Sequence, residues 1–93
     1  MGTPKDFEWD EPKAESNLAK HGVDFRAAVL VFSDRHHMES IDDRHDYGER
    51  RYNATGMAAG VLTTVTYTMR DAVCRIISAR PASRKERKLY EQD

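Results

Sequence analysis

A chain of 93 residues with 33% charged and 39% hydrophobic side chains makes one modest domain, too short for two cores and too apolar for a disordered tail. The longest apolar run covers only residues 27–32, so no membrane-spanning helix is expected. The opening residues carry neither the apolar block of a secretory leader nor a myristoylation pattern, and Cys74 is the single cysteine; a cytoplasmic location is expected and an internal disulfide is impossible.

The formal net charge of -1 conceals an asymmetry. Residues 1–34 hold four basic and seven acidic side chains, residues 35–69 four and five, and residues 70–93 seven and four. An acidic front is joined to a basic end. Contact with nucleic acid must therefore come from a local patch and not from the global field.

In chain order, Phe7-Glu8-Trp9 reads as a short strand or a staple, with Trp9 as a core plug. Asp10 caps a first helix that has Pro12 in its opening turn and Gly22 beyond its end. Ala14, Leu18 and His21 are expected on one face. Asp24 caps a second helix, in which Phe25, Ala28, Val29 and Phe32 follow an i, i+3, i+4, i+7 pattern and Val23 staples the entry.

The periodicity then changes. Residues 38–41, 51–57, 61–69 and 73–79 read as strands separated by short turns, hence an antiparallel meander of three to four strands. Residues 42–49 form a polar loop, and Ser83 with Glu86 makes a capping box for a final helix. Two short N-terminal helices, a meander and a C-terminal helix define an α+β class. The buried face of the last strand stays open: Cys74, Ile76 and Ser78 alternate against Val73, Arg75 and Ile77.

The stretch with the strongest chemical signal is Arg75-Ile76-Ile77-Ser78-Ala79-Arg80, followed by Arg84, Lys85 and Arg87. Arg84 and Lys85 open a helix, where the macrodipole disfavours cations. Guanidinium groups meeting a helix start suit an anionic phosphate. Together with Phe7-Glu8-Trp9-Asp10, Lys13, Asn17, Lys20-His21-Gly22-Val23 and Phe25 at the front, and Glu86, Tyr90 and Glu91 at the back, this pattern resembles the BrnT family, the toxin half of a bacterial type II toxin–antitoxin pair.

The resemblance implies a fold similar to RelE-type ribonuclease toxins and an RNA-cleaving activity that halts growth. It also implies neutralisation by an antitoxin carrying a DNA-binding ribbon-helix-helix segment, and repression of the operon by the complex. RNA is then the substrate, operator DNA is touched only through the antitoxin, and no cofactor is called for.

Metal-free RNA cleavage needs a base for the 2′-hydroxyl, cations around the phosphate and an acid for the departing 5′ oxygen. His21 is the candidate for proton transfer, and Arg75 and Arg80 are candidates for phosphate stabilisation. Lys20, Arg50 or Arg51, and Arg84 are expected along the flanking backbone, with Tyr90 as a stacking platform. Each has a structural alternative: His21 as a cation at a helix C-terminus, Arg75 as a partner of Glu86 or Asp71, Tyr90 as a side chain packed on the sheet. His36, His37, Asp42, Asp43, His45 and Asp46 lack any metal-ligand spacing, so no metal site is assigned. Two other functions remain open: a toxin-fold co-repressor without catalysis, and a small nucleic-acid-binding regulator.

Overall fold

A computed structural model describes residues 4, 6–44 and 48–92. The order is β1 (Asp6–Glu8), α1 (Glu11–His21), α2 (Phe25–Ala28) running into a 3-10 turn (Val29–Ser33), β2 (Met38–Asp42), β3 (Arg51–Ala58), β4 (Val61–Arg70), β5 (Val73–Pro81) and α3 (Arg84–Glu91). The class is α+β, as expected, with two corrections.

The sheet has five strands, in the order β1-β5-β4-β3-β2, not three to four. Strands β2 to β5 are the antiparallel meander, and β1 adds itself in parallel along β5, Phe7 opposite Cys74 and Glu8 opposite Arg75. No turn connects a parallel pair, so no local signal announces this contact. The second correction concerns the second helix. It stays α-helical for four residues and then tightens to 3-10 geometry at Val29–Ser33, where β-branched Val29 and Val31 fit a long α-helix poorly.

The caps form as the sequence implies. The Asp10 carboxylate accepts from the Lys13 N–H at 3.1 Å, and the Gly22 N–H donates to the Leu18 carbonyl at 2.8 Å. Gly22 has φ 72°, the left-handed conformation that closes a helix cheaply only with glycine. Ser83 and Glu86 complete their capping box at the start of α3. The inward face of α1 differs from the expected one: Ala14 and Asn17 are buried, while Leu18 is 48% exposed.

One face of the sheet carries the core. Phe25, Ala28, Val31 and Phe32 from the helical layer pack with Ala54, Val65, Tyr67, Cys74, Ile76 and Ala79 from the strands. Trp9 packs at the edge of this core, its ring 6.0 Å from that of Phe25. Gly56 lies where the 3-10 turn crosses β3: a Cβ there would stand 2.9 Å from the His37 Cβ and 3.1 Å from the Val31 carbonyl oxygen.

Asn17 closes the edge of β5 beyond the reach of β1. Its Nδ2 donates to the carbonyls of Ala79 at 2.8 Å and Val23 at 3.0 Å, and its Oδ1 accepts from the Ala79 N–H at 3.1 Å. A side-chain amide thus supplies the donor and acceptor that another strand would have offered.

Parity in β5 is set by a bulge. Thr66 pairs with Ser78 and Tyr67 with Ile76, leaving Ile77 without a partner on β4. Cys74 and Ile76 point into the core before the bulge, and Ala79 does so after it. Among the described residues, no helix is long and apolar enough to cross a membrane.

Candidate nucleic-acid interface

The opposite face of the sheet is built from hydroxyls, amides and arginines. Register places its side chains in three rungs across the strands. The first runs Glu8, Arg75, Thr68, and then Arg51 opposite Asp42. The second is Ser78, Thr66, Asn53 and Ser40, and the third is Arg80, Thr64, Thr55 and Met38. Threonine suits this surface because its branched Cβ favours a strand while its hydroxyl stays polar.

These hydroxyls are tied to one another and to the backbone. Thr55 and Thr64 share a 2.7 Å hydrogen bond, the Thr66 hydroxyl donates to Asn53 Oδ1 at 2.7 Å, and that of Thr68 donates to the Arg50 carbonyl at 2.7 Å. Such cross-strand bonding stiffens the face.

The bulge at Ile77 brings Arg75 and Arg80 to this same face, although they are five residues apart. Arg75 lies opposite Thr68 and Arg80 opposite Thr64, about 13 Å apart along the strand. Phosphates in an extended RNA strand repeat at roughly half that distance. The two arginines therefore form a row along the sheet, matched to a backbone and wider than a single phosphate.

Each arginine is held by a carboxylate. Arg75 Nη1 donates to Glu8 at 2.6 Å, so its partner is neither Glu86 nor Asp71. Arg80 donates to both oxygens of Glu86, at 2.7 and 2.9 Å. Glu86 also accepts from the Thr64 hydroxyl at 3.0 Å and from the Ser83 N–H at 2.8 Å. The Arg80 bonds, assisted by those of Ser83 and Thr64, hold the Glu86 carboxyl down at about 2. The same contact raises the Arg80 pKa, so both groups stay charged. At the far end of the first rung Arg44 grips Asp42 through two bonds, 2.8 and 2.9 Å.

The other residues singled out in the sequence fall around this face. Arg51 is on the first rung, 3.5 Å from Glu49, whereas Arg50 precedes β3 and its side chain is exposed. Arg84 is the first residue of α3 and exposed, and among the described residues it makes no ion pair with Arg75 or Arg80's carboxylates. Tyr90 donates to Asp34 Oδ2 at 2.5 Å, which pins the end of α3 to the loop before β2.

His21 and Lys20 end α1. His21 is one helical turn beyond Asn17 on the same side of the helix, on an element whose Ala14 packs into the core face of the sheet. Among the described residues it makes no hydrogen bond or ion pair with the arginine row. His45 and Asp46 of the polar loop lie outside the described residues; among those described, no cluster of three His, Cys, Asp or Glu side chains could hold a metal ion.

Reading the sequence missed Glu8, Asn53 and the threonine ladder. The alternation of Thr64, Thr66 and Thr68 was visible, and with the meander order it marks one polar face. Glu8 left no such sign, because its partner is 67 positions away.

Comparison with known proteins agrees with the sequence resemblance. The family described as "Ribonuclease toxin, BrnT, of type II toxin-antitoxin system" matches residues 9–86. No curated protein matches the chain.

Proposed function

The chain belongs to the BrnT family of type II ribonuclease toxins, and from that premise we propose a metal-independent endoribonuclease whose substrate backbone runs along the Arg75–Arg80 row. A cognate antitoxin comes with a toxin of this type. The observation that carries the reading is the rigid hydroxyl face bearing Arg51, Arg75 and Arg80 on one side of the sheet.

Cleavage joins the 2′ oxygen to phosphorus and breaks the bond to the 5′ oxygen. The 2′-hydroxyl gives up a proton and the leaving oxygen takes one. Charge builds on the equatorial oxygens of the scissile phosphate, where Arg80 is the stabilising cation in this scheme, while Arg75 holds a phosphate farther along the same strand. His21, one turn beyond Asn17 on α1, is the proton carrier in this scheme. Lys20, Arg50, Arg51 and Arg84 hold the flanking backbone, and Tyr90 borders the strand's exit.

The antitoxin in this reading is a ribbon-helix-helix protein that covers the basic row, and the complex represses its own operon. Cytoplasmic RNA is the target. A complex that left Arg80 and Arg84 open would rule out occlusion as the neutralising mechanism.

The deciding experiment incubates purified, antitoxin-free protein with RNA in EDTA. Cleavage leaving 2′,3′-cyclic phosphate and 5′-hydroxyl ends is expected. Intact RNA, with growth arrest persisting on induction, would sink the nuclease assignment.

A further inference from the structure

Between α3 and the β2–β3 end of the polar face lies a cleft of about 370 Å³. Asn53, Ser40 and Thr55 form its floor, and Leu89, Met38 and Gln92 its walls. Glu86 stands on its rim and holds Arg80 through two bonds, so the cleft is continuous with the arginine row. A space of this size accepts a single nucleotide-sized group.

The polar atoms on the floor point in defined directions. Asn53 lies between Thr66 on β4 and Ser40 on β2. Its Oδ1 accepts from Thr66 on β4, which leaves Nδ2 as the free donor of this amide, one strand away from Ser40. Among the described residues neither Asn53 Nδ2 nor the Ser40 hydroxyl has a hydrogen-bond partner. Ser40 and Asn53 face each other across the β2–β3 pair, so a donor and an acceptor stand side by side. Leu89, 48% exposed on α3, offers an apolar wall above them.

We propose that this cleft is a base subsite selecting a keto nucleobase, guanine or uracil, in an RNA strand whose phosphate lies on Arg80. Asn53 Nδ2 donates to the carbonyl O6 or O4, and the Ser40 oxygen accepts the neighbouring ring N–H. Adenine and cytosine present the reverse pattern, an amino donor beside a bare ring nitrogen, and meet Asn53 donor to donor. The inference rests on the ribonuclease reading for its substrate, and is tested separately from it.

Two measurements on the free protein decide it. In NMR titrations with GMP, UMP, AMP and CMP, the Asn53 side-chain amide and Leu89 methyls shift with GMP and UMP, at affinities roughly tenfold above those for AMP and CMP. In cleavage mapping on mixed RNA, Asn53→Leu flattens a G/U preference of the same size by lowering cutting at G and U toward that at A and C. Asn53→Asp, which replaces the donor by an acceptor, shifts the preference toward A and C. GMP shifts confined to Arg75 and Arg80, or a base preference unchanged in both variants, would overturn the subsite. GMP filling the cleft without RNA cleavage would keep the subsite and remove the nuclease reading.

Discussion

Arg75 and Arg80 share one face of the sheet because Ile77 bulges out between them. Five residues of regular strand would have sent the two side chains to opposite faces. The bulge keeps Cys74, Ile76 and Ala79 in the core while both guanidinium groups reach the polar side. Arg80→Ala is expected to lower RNA cleavage by about 10²- to 10³-fold, the usual effect of removing one group that stabilises transition-state charge, and Arg75→Ala by about tenfold through a neighbouring phosphate. Arg75→Ala costs only about 0–1 kcal/mol of stability, since the Glu8 pair is part-exposed. Cleavage assays beside urea unfolding check both. A variant that loses stability and keeps its rate would make these arginines structural.

Glu86 makes stability pH-dependent. Its carboxyl ionises at about 2 in the folded chain, against 4.5 for the free side chain. The contacts with Arg80, Ser83 and Thr64 therefore contribute fully above about pH 4.5 and are lost as the pH falls toward 2. Glu86→Ala removes this dependence and one arm of the capping box, costing about 1–2 kcal/mol near neutral pH. Urea midpoints measured from neutral to acid pH should converge for the two proteins. A gap that stays constant with pH would contradict the assignment.

Asn17→Ala leaves the Ala79 N–H and the Ala79 and Val23 carbonyls without their partner. A loss of about 2–3 kcal/mol is expected from the buried, unsatisfied backbone. Asn17→Asp recovers little, because a carboxylate cannot donate to either carbonyl. Equilibrium unfolding of both variants measures this, and an aspartate variant as stable as the parent would be incompatible with the proposed bonding.

Gly56→Ala places a methyl 2.9 Å from the His37 Cβ and 3.1 Å from the Val31 carbonyl oxygen. Both neighbours are anchored close to the main chain and cannot swing away. A loss of about 1–3 kcal/mol follows from overpacking, visible as a lower melting temperature. Unchanged melting would mean that the 3-10 turn yields easily.

Much of the fold was legible because it is local. Asp10 and Gly22 bracket α1, Ser83 and Glu86 open α3, and the strands β2 to β5 lie within a few residues of where alternation and turn residues put them. The arginine-rich stretch of β5 was legible only as a concentration of cations: Arg75 and Arg80 do not gather with Arg84 into one pocket at the start of α3, but lie apart along the sheet, each on its own carboxylate. The roles of His21 and Tyr90 were less legible. A histidine at a helix end reads alike for a cap and for a proton carrier, and the Tyr90 partner, Asp34, lies 56 positions away.

Caps, turns and alternation are interactions among neighbours a few residues apart, so the order of residues specifies them without help from the rest of the chain. The parallel seat of β1, the Glu8–Arg75 pair and the amide of Asn17 on Ala79 join segments more than sixty positions apart. Many distant pairings satisfy the same composition, and packing selects one of them. The bulge at Ile77 belongs to that second group. It adds no local motif, and arises where β5 must meet β4 and the helical layer at once.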